Sequence, residues 1–201
     1  MSFTTDDHFA AFGLTPRPWI DLDALREAYA RQSGDLHPDK HQGQPAAELA
    51  EIEKRYASIN KAFQVLCEPK ERLLYLYEQT KGGKPSDVQR IPPGTMDLFV
   101  EVGQLCQKID EHQKTKAAAT TALEKAGFMV AGLDLQEAIT AMQEKLGAYS
   151  GKLSEELVAL DAQWVAGEKN LDALETLYRK YSYVWRWQQQ LEERLVALLT
   201  D

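Results

Sequence analysis

Four consecutive residues, His37-Pro38-Asp39-Lys40, set an imidazole, a carboxylate and an ammonium around one proline. These groups donate and accept charge-assisted hydrogen bonds, which suits docking onto another protein's polar surface. Proline limits the conformations of such a loop and so lowers the cost of ordering it on binding. Bond-making chemistry finds less support, because no nucleophile, base and orienting group line up in the chain. His8, His41 and His112 have no H-E-x-x-H or comparable spacing, and each is expected to be exposed or capping. Cys67 and Cys106 form no C-x-x-C pair, so half-buried fillers are expected, with no metal site, disulfide framework or cofactor.

The elements that must position this loop follow from backbone chemistry. Pro38 pushes His37 out of the α region, so a helix capped by Asp21 or Asp23 stops near Leu36. Leu22, Leu25 and Tyr29 share one face of it. After Gly43 and Pro45, Leu49, Ile52, Tyr56, Ile59, Phe63 and Leu66 recur at spacings of three and four, the mark of a second amphipathic helix. Two such helices joined by about ten residues are free to run antiparallel with the loop at their end. A short opening helix lies before them, closed by Gly13, and a further one is expected from Lys70 to Gln79 with Pro69 at its first position.

The stretch Lys81-Gly82-Gly83-Lys84-Pro85-Ser86, with Pro92-Pro93-Gly94, breaks the helical periodicity and marks a linker over residues 81–94. It separates residues 1–80 from residues 95–201. Beyond it, Thr95 or Asp97 can cap a helix bearing Leu98, Phe99, Val102, Leu105 and Ile109, predicted to run through Ala117-Ala118-Ala119 towards Gly127. A second pattern extends from Leu135 to Trp164, weakened by Gly147 and Gly151, and a third from Leu171 to Leu198 through Tyr178, Tyr181 and Trp185. Most aromatic residues here are expected in a bundle core, with Tyr183 and Trp187 off the stripe and exposed. No strand-like alternation competes, so the expected class is all-α, ending in an antiparallel three-helix bundle.

Composition excludes several functions. With 44% hydrophobic residues in 201, the chain can bury a real core. A net charge of -8 without a dense Lys/Arg run argues against nucleic acid. The N-terminus has no positive and apolar leader, and no apolar stretch approaches the ~20 residues of a membrane span, so a cytoplasmic location is expected.

In order and spacing, three linked motifs resemble the J-domain (DnaJ-like) co-chaperones. They are Leu25-Arg26-Glu27-Ala28-Tyr29 before the His37 loop, the run from Tyr56 to Leu66, and Pro69-Lys70-Glu71-Arg72-Leu73-Leu74-Tyr75-Leu76. The resemblance implies that His37, Pro38, Asp39 and Lys40, backed by Arg26, Arg31 and Tyr29, bind a DnaK/HscA-type heat-shock ATPase and stimulate it. The chain itself is then a regulator, not an enzyme. Ala30 and Asp35 stand where the family often has basic residues, and Leu36 where tyrosine is usual, which implies weaker electrostatic steering.

The second half is similar to the HscB-type co-chaperones of iron–sulfur cluster assembly. The run from Asn60 to Leu76, Met96-Asp97-Leu98-Phe99-Val100-Glu101, and a last helix with Leu174, Tyr178, Tyr181 and Trp185 carry that likeness. It implies that Leu98, Phe99, Val100 and Glu101 hold an iron–sulfur scaffold protein as cargo, although Gln104, Gln107 and Lys108 replace expected glutamates. Two alternatives stay open: a J-domain protein whose bundle binds a different client, and a non-chaperone helical adaptor.

Overall fold

The structure, a computed structural model, describes residues 7–85, 90–118 and 120–200. Seven α-helices make up its regular structure, with a single 3-10 turn and no strand among the described residues: α1 His8–Ala11, α2 Leu22–Asp35, α3 Ala46–Cys67, α4 Pro69–Lys81, α5 Met96–Ala117, α6 Ala122–Val165 and α7 Leu171–Thr200. Two compact units form. One comprises Met1–Ser86 with Leu157–Tyr178, the other Asp87–Glu156 with Arg179–Asp201, so α6 and α7 each contribute residues to both.

In the first unit, the helix ends follow the local chemistry. The Asp21 carboxylate accepts from Asp23 N and Ala24 N at 2.9 and 3.1 Å, starting α2. Pro69 opens α4, and Gly82, at φ 80°, closes it in the left-handed conformation that glycine adopts without penalty. Contacts between α2 and α3 fall in reverse order along the two chains: Tyr29 stacks on Phe63 with centroids 4.1 Å apart, and His37 meets Tyr56 edge-on at 6.0 Å. The pair is therefore an antiparallel hairpin. Phe9, Leu25, Leu66, Leu73 and Leu76 fill the core, each fully buried leucine contributing roughly 1.5–3 kcal/mol.

Two buried charges fasten this unit over long sequence distances. Arg72, 2% exposed, donates from Nε to the Pro18 carbonyl at 2.8 Å and from Nη1 to the Leu66 carbonyl. Asp161, 4% exposed, accepts from Arg17 Nε at 2.9 Å, from Arg17 Nη2, and from Trp19 N at 3.1 Å. Tyr77 adds a bond to Glu175 Oε2 at 2.7 Å. The segment preceding α2 is thus held by residues from α3–α4 and from the end of α6.

In the second unit, Glu101 pairs with Lys145 while His112 meets Phe128, so α5 and α6 are antiparallel. Gln143 with Glu192 and Glu156 with Lys180 give the same result for α6 and α7. The result is a three-helix bundle. Its core is set by α5 residues Leu98, Val102, Leu105 and Ile109, and by α6 residues Ile139, Leu146 and Leu153, the last three spaced by sevens. A seven-residue repeat is the seam of left-handed helix packing.

Three details differ from the periodicity. α5 ends at Ala117 instead of running to Gly127, because Thr121 and Glu124 form a capping box. Glu124 Oε2 accepts from Thr120 N and Thr121 N at 3.1 and 2.9 Å, and Thr121 Oγ accepts from Glu124 N at 3.2 Å. α6 continues unbroken through Gly147 and Gly151, which lie off its buried seam. The aromatic expectation on α7 holds for Tyr178, 7% exposed, and is reversed at three positions: Tyr183 and Trp187 are 7% and 4% exposed, and Trp185 is 46% exposed. The seam runs through Leu177, Val184 and Leu191, which turns Trp185 outward by one helical step.

Candidate functional site

The residues 37–41 occupy the connection at the end of the α2–α3 hairpin, where Pro38–His41 form one turn of 3-10 helix. His37 caps that turn, its Nδ1 accepting from Asp39 N at 3.3 Å while its carbonyl accepts from Lys40 N at 3.0 Å. An accepting Nδ1 places the proton of the neutral ring on Nε2. The Asp39 carboxylate stands 3.6 Å from the same nitrogen, too far for a hydrogen bond, and remains free to accept from outside. Both side chains are open to solvent, at 47% for His37 and 76% for Asp39, and Lys40 is exposed as well. His41 lies beneath, bonding Nε2 to the Asp35 carbonyl at 2.8 Å and so satisfying the last turn of α2.

Along α2 the supporting residues divide into surface and structure. Arg31 is exposed and makes no hydrogen bond or ion pair with the described residues. Arg26 is exposed but shares its guanidinium with Asp23 at 2.8 Å within the same helix. Tyr29 is half-buried, its hydroxyl donating to Asn60 Oδ1 at 3.0 Å, and it braces the hairpin instead of facing outward. Only Leu25 of α2 is fully buried, which leaves most of this helix available as a contact surface.

The second group of expected residues, on α5, separates by face. Leu98 is buried in the bundle at 7% exposure. Phe99 and Val100 are exposed at 42% and 44%, and Met96, which the sequence reasoning missed, joins them at 54%. Its signal was available, since positions 96, 99 and 100 share a face distinct from 98, 102, 105 and 109. Glu101 is bound to Lys145 Nζ at 2.7 Å, and Asp110 is held by both Nε and Nη2 of Arg194 at 2.9 Å. The acidic groups beside the apolar patch are therefore already paired. No group of three or more His, Cys, Asp or Glu able to hold a metal ion occurs among the described residues.

A family model described as the DnaJ domain matches residues 7–75. A co-chaperone protein HscB homolog of Bordetella pertussis is 28% identical over 146 residues, covering 72% of this chain and 82% of its own. Its counterpart in Bordetella avium is 27% identical over 164 residues, covering 77% and 97%. Among solved structures, the chaperone HscB from Vibrio cholerae superposes with a TM-score of 0.63 at 20% identity, covering 96% of this chain and 99% of that one. The human co-chaperone protein HscB gives 0.60 at 18% identity, covering 98% and 83%. These last two likenesses concern the fold.

Proposed function

Residues 7–75 are a DnaJ domain and the chain is similar to HscB-type co-chaperones along most of its length; from this premise we propose that it docks a DnaK/HscA-type ATPase through the His37 loop. The observation that carries the reading is the pairing of an exposed, unengaged Asp39 carboxylate with a His37 ring that caps the same turn. The turn is preordered, so little entropy is lost when a basic group of the ATPase takes the carboxylate. Arg31 and Lys40 supply the positive charge that steers encounter. In this reading the chain regulates a partner's ATP hydrolysis and carries no catalytic group of its own. It acts in the cytoplasm.

The α5 patch of Met96, Phe99 and Val100 supports a cargo site in which apolar contact dominates, with an iron–sulfur scaffold protein as the cargo. Domain bounds follow the same division of labour: residues 1–80 for docking, 81–94 as connector, 95–201 for cargo. The pairing of Glu101 and Asp110 with Lys145 and Arg194 favours a second reading of the bundle alone, a client other than the scaffold.

Single-turnover ATP hydrolysis by a DnaK-type chaperone tests the docking. The intact protein should raise the rate, and Asp39→Asn or His37→Gln should remove at least about tenfold of that effect, one charge-assisted bond being worth roughly 1.5–3 kcal/mol. Unchanged stimulation by both variants overturns the reading. For the bundle, Phe99→Ala should weaken scaffold binding by roughly tenfold; no scaffold binding by the intact protein leaves the alternative client.

A further inference from the structure

The turn that carries His37, Pro38, Asp39 and Lys40 is held from two ends, and the ends are unequal. At the first, His37 Nδ1 accepts from Asp39 N, and its ring lies edge-on to Tyr56 of α3 at 6.0 Å. At the second, the chain leaves through Gly43, at φ 96°, and enters α3 behind Pro45 without a side-chain cap. The end of α2 is equally bare. Leu36 closes it at φ -95°, without the left-handed residue that closes α4 at Gly82, and its last turn holds no basic side chain.

His41 serves both places. Its Nε2 lies 2.8 Å from the Asp35 carbonyl oxygen. A carbonyl only accepts, so Nε2 carries a hydrogen, as it can in the neutral and in the protonated ring alike. The bond joins residues six apart and closes a loop of chain that contains Leu36 and the whole tetrad. One half-buried side chain thereby ties the far end of the turn to the helix that displays Arg26 and Arg31. His37 and His41 clamp the turn with opposite chemistry, the first accepting and the second donating.

Resting on the docking function proposed above, we propose that His41 is a positioning residue for the ATPase. It acts through its neighbours: the clasp on Asp35 holds the turn in the form that presents the Asp39 carboxylate. A clasped turn has fewer conformations to lose when it docks. An unclasped turn binds more weakly, yet once bound it offers the same His37 and Asp39. The half-maximal concentration should therefore move while the maximal rate stays.

Single-turnover ATP hydrolysis by a DnaK-type chaperone, titrated with the full chain, reads those two quantities apart. His41→Phe keeps a ring and loses the donor. It should raise the half-maximal concentration roughly fivefold, the ordinary net worth of one hydrogen bond, at the parent's maximal rate and helicity. His41→Gln, whose amide Nε2 can donate to the same carbonyl, should stay within about twofold of the parent. In the protein alone, hydrogen exchange of the Lys40 amide, bonded to the His37 carbonyl at 3.0 Å, should quicken in His41→Phe and not in His41→Gln. An unchanged half-maximal concentration in His41→Phe overturns the proposal, as does an equal shift in both variants or a loss of maximal rate alone. An intact chain that does not stimulate the ATPase overturns the docking reading and this role with it, a result distinct from the others because it precedes any substitution.

Discussion

Asp39 and Arg72 show how one unit separates function from stability at the level of single side chains. Asp39 is exposed and bonds nothing through its carboxylate, so Asp39→Asn should leave chemical denaturation within about 0.5 kcal/mol of the parent while stimulation is lost. Arg72 is the reverse. Buried, and donating to the Pro18 and Leu66 carbonyls, it should cost roughly 2–4 kcal/mol when replaced by Met, measured by urea unfolding. Tyr29→Phe, losing only the bond to Asn60, should cost about 1 kcal/mol. The His37 motif was legible because its residues are contiguous. The roles of Tyr29 and Arg72 were not, since each depends on a partner brought up by the folded chain.

Helix boundaries were legible wherever punctuation is local: Asp21, Pro69 and Gly82 end or begin helices as their backbone chemistry requires. The Thr121–Glu124 capping box carries an equally local signal, and the alanines before it hide it because they favour continuation. Its hydrogen bonds hold the Glu124 carboxyl below the usual glutamate range. A lowered folded-state pKa means the contribution is complete above the ordinary value of about 4.3 and disappears as pH falls through the depressed one. An NMR titration should show the Thr121 amide following Glu124 with a midpoint below that value, and Glu124→Gln should abolish the response. Gly147 and Gly151 were misleading, since burial of Leu146 and Leu153 outweighs about 1 kcal/mol of poor propensity each. An added Cβ meets nothing within 4 Å at either position. Gly147→Ala should therefore stabilise the protein by about 0.5–1 kcal/mol in urea unfolding.

At the scale of the molecule, Asp161 belongs to the same unit as the DnaJ domain although it lies 142 residues from Trp19. Pattern and propensity are short-ranged, so no reading of periodicity finds such a partner. Asp161→Ala should cost about 2 kcal/mol, less than a fully buried pair because Arg17 keeps 36% of its side-chain exposure. A fragment of residues 1–85 should likewise unfold at lower urea than the first transition of the intact chain, having lost both Asp161 and Glu175.

The division of each unit between two stretches of chain also orders events during synthesis. The α2–α3 hairpin with its His37 turn is complete once Cys67 is free of the ribosome, whereas Trp19 and Arg17 must wait for Asp161. At roughly 5–20 residues per second, the 94 residues between Cys67 and Asp161 impose a delay of about 5–19 s. For that interval the nascent chain displays an assembled docking loop on a unit still lacking its last supports. A chain cut short by a premature stop would keep the loop and never gain them, making truncated products the ones most exposed to proteolysis.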